Sequence, residues 1–250
     1  MSRILGCVIL LLCGSVHGQQ FRIDTQVFAN GGKKPIAEST TIFDNGVAYD
    51  FLKSPQEIAI LHVNSGEVTL LDMAAKRRCM VTPNQMFQFV AAIEGRLLQK
   101  PNRVAVFLFN PKFQLKFNKV RRQIQLIHPL YSYTATGTPA KVDRADLHFQ
   151  LFADGMARLN TLRNGVPPKP RLRLNLALAS RKFLPTKVER KMAFGNGPKQ
   201  TAKSIHKIKW MLKKEDLDRV KAARGYLNDP QFKQVTIFKF ARRRGQVAKK

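Results

Sequence analysis

The sequence predicts an α+β protein that has one or two curved antiparallel sheets and three to four packed helices. Short segments with alternating apolar residues recur between turns that contain Gly, Asn or Pro, which is typical of antiparallel strands. Longer segments with apolar residues at spacings of three and four predict helices. The composition, 44% hydrophobic and 9% aromatic, provides for a core and excludes a chain that is disordered throughout.

Residues 19–101 predict a strand meander followed by one helix. Turn sequences such as Asp44-Asn45-Gly46 separate the apolar segments. Thr82, Pro83 and Gln85 form the pattern of a capping box that opens a helix, and Pro101 ends it. The predicted strands are 21–29, 38–43, 47–52, 57–63, 67–73 and 76–81.

Residues 102–240 predict a second group of strands and helices. Thr138-Pro139 predicts the start of a helix that runs to Asn164-Gly165. Segment 171–182 fits a strand or a helix, and we favour the helix because branched and aromatic residues are missing. The predicted strands here are 104–109, 112–117, 120–127, 130–136, the hairpin 183–194 and 201–212, and 232–240, with a basic helix at 214–227.

The N-terminus has the layout of a secretory signal peptide, with Arg3, an apolar run and small residues up to Gly18. We therefore predict a signal peptide at 1–18, a single α+β domain at 19–240 with sub-parts 19–101 and 102–240, and a disordered basic tail at 241–250. Cleavage near Gly18 would place the protein in the periplasm or cell envelope. It would also leave Cys79 as the one remaining cysteine, which we expect to be buried in a strand.

Basic residues dominate the second part of the chain. Residues 1–100 contain 10 basic and 8 acidic side chains, whereas residues 101–250 contain 34 basic and 8 acidic ones. Such a surface attracts polyanions. For an exported protein the expected partners are an anionic lipid, a glycolipid or a wall polymer, and nucleic acid is disfavoured. The alternative is that the charge serves only solubility.

Motifs for common catalytic chemistry are missing from the sequence. It contains no GxSxG, no HExxH and no Gly-rich phosphate loop, so we expect neither a cofactor nor a metal. Asp143, Asp146 and His148 form the densest group of titratable residues, and we expect the two aspartates to share one helix face. An envelope hydrolase that uses this group is one alternative function, and a polyanion-binding protein is another.

The leading hypothesis is a non-enzymatic envelope protein that binds an anionic, amphiphilic partner. Aromatic residues on predicted strands and helices would line an apolar cavity for acyl chains, and nearby cations would hold the head group. The candidate binding residues are Tyr49, Phe51, Phe149, Phe152, Arg121 and Arg122.

Several segments carry a resemblance to known proteins. The run TIFDNGVAYDFLKSPQEIAILHVNSGEVTLLDMAAKRRCMVT, with SYTATGT, FADGMARLN and FLPTKVERKM, resembles exported planctomycete-type proteins of unknown function. The order of turn-linked strands, a helix and the late LPTKVE strand looks like the periplasmic lipoprotein carriers. That second likeness implies a strongly bent antiparallel sheet that wraps an apolar cavity covered by helices, and it assigns no binding residue.

Overall fold

A computed structural model of the chain describes residues 20–164, 166–194 and 197–242. Its centre is one open, curled sheet of twelve strands with the order β12-β6-β5-β4-β3-β2-β1-β11-β10-β9-β8-β7. All neighbouring strands are antiparallel except β12 and β6. The predicted α+β class with antiparallel strands is therefore confirmed. The predicted signal peptide and residues 243–250 of the predicted tail lie outside the described residues.

The strands and helices have the following bounds. The strands are β1 (Phe21–Ala29), β2 (Ala37–Asp44), β3 (Val47–Leu52), β4 (Glu57–His62), β5 (Val68–Asp72), β6 (Arg77–Val81), β7 (Gln114–Asn118), β8 (Gln123–Ile127), β9 (Tyr131–Pro139), β10 (Phe183–Met192), β11 (Gln200–Lys209) and β12 (Lys233–Gln234). The helices are α1 (Pro83–Leu98), α2 (Arg103–Phe109), α3 (Ala145–Asn164), α4 (Lys169–Ala179), α5 (Lys214–Asn228) and α6 (Ile237–Arg242).

The late hairpin β10–β11 joins the two groups of strands into one sheet. Strand β10 pairs with β9 of the second group, and β11 pairs with β1 of the first. The pairs run from Arg22 opposite Lys209 to Ala29 opposite Ala202. The N-terminal meander and the central strands thus share one ladder of backbone hydrogen bonds.

Helices cover both faces of the sheet. Helices α1 and α3 pack on one face, which we call the α3 face, and α5 packs on the opposite face, the α5 face. Strand β4 contributes to both, because Ala59 and Leu61 lie in the core of the α3 face, whereas Ile58 and Ile60 lie in that of the α5 face. The middle of β4 is covered on both sides and has no solvent-facing register, so its residues 58–61 are all apolar.

Helix α3 lies very close to the sheet at Gly155. A Cβ atom at this position would be only 2.5 Å from Cδ1 of Leu61, whose side chain is fully buried. Because glycine has no Cβ, helix α3 can approach β4 more closely here than any other residue would allow.

Helix α1 begins as the sequence predicts. The Thr82 side chain accepts a hydrogen bond from the Gln85 backbone N–H, and the Gln85 side chain accepts one from the Thr82 N–H. Pro83 occupies the first helical position. The predicted helices at 171–182 and 214–227 and the hairpin of β10 and β11 are also present, with ends shifted by a few residues.

The predicted strand at 104–109 is wrong, because these residues lie in helix α2. The Asn102 side chain accepts a hydrogen bond from the Ala105 backbone N–H at 2.8 Å, which caps the helix. The segment is apolar at nearly every position, so its pattern does not distinguish a short buried helix from a buried strand.

The predicted helix start at Thr138-Pro139 is also wrong. Both residues continue β9, where they lie opposite Leu184 and Phe183 of β10. Proline fits here because Pro139 is the last residue of β9, so the backbone hydrogen bonding with β10 does not require an N–H from it. Helix α3 begins six residues later, at Ala145.

The predicted strand at 232–240 is mostly a different structure. Only Lys233 and Gln234 form a strand, parallel to β6, and helix α6 follows. Phe232 lies in the core of the α5 face and Phe240 in that of the α3 face, so this segment passes around the β6 edge of the sheet. Helix α6 includes Ala241 and Arg242, the first two residues of the predicted disordered tail.

Candidate functional site

A cavity of about 670 Å³ lies between α3 and the sheet. We call it the α3 cavity. Strands β1, β2, β9, β10 and β11 form its floor together with Asp50 of β3, and the connection from α3 to α4 closes one side. Its volume lies within the range of small-molecule sites in proteins.

The α3 side of this cavity is apolar. Phe149, Phe152, Ala153 and Met156 all line it, because they recur at spacings of three and four and so share one side of the helix. Phe152 also packs its edge against the ring of Phe43, at 5.6 Å between centroids. The core of the α3 face therefore holds this wall in place.

Two tyrosines and two arginines form a polar region of the cavity. Tyr131 and Tyr133 alternate along β9 so that both face the cavity, and their hydroxyls lie 3.0 Å apart. Burial raises the pKa of Tyr133 well above its ordinary value, and Tyr131 acts in the same direction. Arg171 and Arg190 are close enough to oppose this rise. The region therefore combines neutral hydroxyl groups with two positive charges.

Arg190 has no partner within the described part of the chain. It makes no hydrogen bond or ion pair there, and its Nε atom is buried. It lies on β10 between Val188 and Met192, both of which point to the apolar core. A guanidinium with a buried, unsatisfied N–H is unfavourable unless an anion or a hydrogen-bond acceptor compensates it.

Arg171 is held by its neighbours on the helix side. Its Nε donates to Oδ1 of Asn175 at 2.9 Å, and the Asn175 amide donates to Oδ1 of Asp154 at 2.7 Å. Burial raises the pKa of Asp154, although the hydrogen bond from Asn175 and the charge of Arg171 oppose this shift. No carboxylate lies within ion-pair distance of Arg171 among the described residues, so its charge is available to a ligand.

His206 lines the same cavity as a neutral side chain. Burial, with a further contribution from Arg171, lowers the pKa of its imidazole to about 3. Its two ring nitrogens lie 3.0 Å from the Thr25 hydroxyl and 2.9 Å from the Ser204 hydroxyl. With His206 neutral, the charged residues that line the cavity are Asp50, Arg171, Arg190 and Lys203.

The structure divides the four aromatic residues that the sequence placed in one cavity. Phe149 and Phe152 line the α3 cavity, but Tyr49 and Phe51 point to the α5 face, so the prediction of a shared cavity is wrong. The reason is strand parity: Tyr49 and Phe51 occupy the register of β3 opposite to that of Ala48, which faces α3.

Tyr49 and Phe51 both contact helix α5. Nε of Arg224 donates to the Tyr49 hydroxyl at 2.8 Å, and the same guanidinium pairs with Asp44 at 2.6 Å. The Arg219 guanidinium lies over the Phe51 ring, 4.2 Å from its centroid. Phe51 and Arg219 also line a second cavity, of about 850 Å³, beside α5.

Arg121 and Arg122 are far from the α3 cavity. Both are exposed in the turn between β7 and β8, at the edge of the sheet. Their side chains do not line either cavity described above. The structure thus does not bring them together with Phe149 and Phe152.

The acidic group proposed for a hydrolase is not assembled beside a cavity. Asp143 lies in an exposed turn before α3, so it does not share a helix face with Asp146 as predicted. His148 is buried, and its pKa is lowered by burial and by Arg144. None of the three residues lines the α3 cavity or the cavity beside α5.

Cys79 is buried in β6, as predicted. Burial raises the pKa of its thiol to about 11, so the reactive thiolate is scarce at neutral pH. The side chain packs in the core of the α3 face.

Sequence reasoning missed Tyr131, Tyr133, Arg171 and Arg190. Arg190 carries a recognisable signal, because it occupies the same strand register as Val188 and Met192. A cation in the apolar register of a strand is unusual and marks a position with a specific role. Arg171 has no comparable signal, since alternating cations and leucines surround it.

Comparison with known proteins gave no match: neither a protein-family model nor a curated protein sequence corresponds to this chain. Within the described residues, no helix combines the length and apolar character needed to cross a membrane. The same residues contain no group of three His, Cys, Asp or Glu side chains that could hold a metal ion.

Proposed function

We propose that this protein is a non-enzymatic, exported protein of the bacterial envelope that binds an anionic amphiphile in the α3 cavity. The observation that carries the proposal is the buried Nε of Arg190, which has no hydrogen-bond partner among the described residues. An anionic head group would accept hydrogen bonds from Arg190 and Arg171 and would offset their desolvation. The apolar chain would lie along Phe149, Phe152 and Met156 of α3.

Export to the periplasm or envelope is the second part of the proposal. It rests on the signal-peptide pattern of residues 1–18 and on the use of a single cysteine after residue 18. An envelope location would bring the protein into contact with phospholipids, glycolipids and other anionic amphiphiles. A ligand with both a chain and a negative charge fits the two regions of the cavity.

The test is calorimetric titration with a lysophosphatidic acid that has a 14-carbon chain, compared with a lysophosphatidylcholine of the same chain length. The anionic lipid should bind more tightly, because only it carries net negative charge. Arg190→Gln should weaken its binding by about 10-fold to 100-fold, the range expected for a charge-assisted hydrogen bond. Arg96→Gln, an exposed arginine on α1, is the matched control and should leave binding unchanged.

A second pair of variants tests the cavity itself. Ala157→Trp places a large side chain into the α3 cavity and should abolish binding of both lipids, whereas Ala91→Trp on the exposed side of α1 should not. Native mass spectrometry should detect co-purified amphiphile in the wild type. Absence of binding in the wild type, or unchanged binding in both Arg190→Gln and Ala157→Trp, would show that the cavity has another role.

A further inference from the structure

The part of the chain that includes α2, β7, β8 and β9 contains no carboxylate side chain. Between Glu94 and Asp143 there are nine basic residues and not one acidic residue. Most of residues 95–142 belong to strands β7, β8 and β9, which form one end of the sheet, and to helix α2. The positive charge of this end therefore has no local compensation from the segment that forms it.

The turn between β7 and β8 presents an apolar residue among cations. Val120 is 94% exposed at the apex of the hairpin. Lys119, Arg121 and Arg122, which flank it, are all exposed. The Arg121 backbone N–H donates to Oδ1 of Asn118 at 2.9 Å, which fixes the turn. We call residues 119–122 the hairpin tip.

Further cations surround the hairpin tip. The Gly137 N–H donates to the Arg122 carbonyl at 3.0 Å, and the Ala140 N–H donates to the Lys182 carbonyl at 2.9 Å. These bonds place the end of β9 and the start of β10 beside the tip. The exposed side chains of Lys141 and Lys182 belong to this neighbourhood, and Asp143 and Asp146 are the acidic residues nearest to it along the chain.

Two arginines of β6, in contrast to the tip, have structural partners. Arg77 pairs with Asp72 at 2.6 Å, and Arg78 donates to the Leu227 carbonyl. Among the described residues, the side chains of Lys119, Arg121 and Arg122 make no ion pair or hydrogen bond. The fold does not use these three cations, although they lie next to one of its most exposed apolar side chains.

We propose that the hairpin tip docks the protein on the surface of a lipid bilayer that contains anionic lipids. The cations would approach the head groups, and Val120 would enter the interfacial region. An aliphatic side chain at the apex favours a bilayer over nucleic acid, for which an aromatic stacking residue would be expected. The inference is independent of the α3 cavity, because Tyr131 and Tyr133 line that cavity at the opposite end of β9.

The experiment is vesicle co-sedimentation at 0.15 M salt, with vesicles of phosphatidylcholine alone or with about 30% phosphatidylglycerol. Wild-type protein should bind only the anionic vesicles. The variant Val120→Ser/Arg121→Gln/Arg122→Gln should bind at least about 30-fold more weakly, since each cation near an anionic bilayer contributes about fivefold. Val120→Ser alone should weaken binding several-fold.

A matched control lies at the opposite end of the strands. The turn between β1 and β2 also contains two exposed lysines and an exposed apolar residue, Ile36, which is 67% exposed. The variant Lys33→Gln/Lys34→Gln/Ile36→Ser removes the same charge and a similar apolar side chain, and it should bind vesicles within about threefold of wild type. Thermal unfolding followed by circular dichroism confirms that each variant is folded.

Three results would overturn the inference. The tip variant could bind anionic vesicles as tightly as wild type, or the control variant could lose as much binding as the tip variant. Alternatively, Val120→Ser could bind like wild type while a 20-base-pair DNA duplex competes fully with the vesicles, which would assign the tip to nucleic acid. Lysophosphatidic acid binding in the cavity is measured separately, so failure of one proposal is distinguishable from failure of the other.

Discussion

The contact between Gly155 and Leu61 gives a quantitative prediction about how α3 is seated on the sheet. Replacement of a helical glycine by alanine stabilises an unconstrained helix by about 1 kcal/mol. In Gly155→Ala, however, the new Cβ would lie 2.5 Å from Cδ1 of Leu61, about 1 Å inside the optimal carbon–carbon separation of about 3.5 Å. Because Leu61 is fully buried, relief requires movement of packed atoms, which costs about 1–3 kcal/mol.

Gly225 on α5 is the matched control, since a Cβ added there has no atom within 4 Å. Gly225→Ala should raise the free energy of unfolding by about 1 kcal/mol. The gain in helix propensity is the same in both variants, so the difference between them, about 1–3 kcal/mol, measures the overpacking alone. Urea denaturation followed by circular dichroism gives both free energies.

A double variant identifies the atom responsible. Leu61→Ala removes Cδ1, so Gly155→Ala should cost less in that background than in the wild type. Equal stabilisation by Gly155→Ala and Gly225→Ala would show that α3 is not in close contact with β4. The position of α3, which forms the apolar wall of the α3 cavity, would then be wrong.

Two further predictions concern His206 and Arg224. The pKa of His206 is about 3 in the folded protein against an ordinary 6.5, so the unfolded chain takes up a proton that the folded chain excludes, and stability falls as the pH drops below 6.5. Between pH 7 and pH 4.5 the wild type should therefore lose about 3 kcal/mol more than His206→Gln, and equal losses in urea titrations would contradict the low pKa. Arg224→Ala should destabilise the protein by about 2 kcal/mol, because it leaves the buried Asp44 carboxylate without its guanidinium partner. Arg224→Lys should recover only part of this loss in thermal unfolding, since lysine does not reach both Asp44 and Tyr49 with one planar group.

Much of the secondary structure can be predicted from local signals in the sequence. The Thr82 capping box depends on residues within one helical turn, so its reading does not require tertiary context. Strand alternation and turn residues likewise identified most of the meander and the β10–β11 hairpin.

The errors arose where tertiary contacts decide between two local possibilities. Pro139 fits a helix start as well as a strand end, and pairing with Phe183 selects the strand. Residues 232–240 resemble a strand because their apolar side chains recur at short spacings. In the structure, Phe232 packs in the core of the α5 face and Phe240 in that of the α3 face, and the spacing of apolar residues alone does not reveal this change of face.

The candidate site was predictable only in part. Phe149 and Phe152 follow from the helical spacing of α3, and both line the cavity. Strand alternation places Tyr49 and Phe51 on one face of β3, but it does not tell which side of the sheet that face meets, because helices cover both sides. The pattern of β10 marks Arg190 as unusual, but only the folded arrangement shows that its buried Nε has no partner among the described residues.

The pairing of β1 with β11 has a consequence for the order in which the protein folds. Thr25 and His206 are hydrogen-bonded across 181 positions of the chain, so β1 lacks its second neighbour until most of the chain has been synthesised. Until then β1 is an unpaired strand edge, a surface that favours aggregation with other chains. Completion of the sheet is a late, non-local step that is slow compared with the closure of the hairpins. The last third of the chain therefore protects the first third from aggregation.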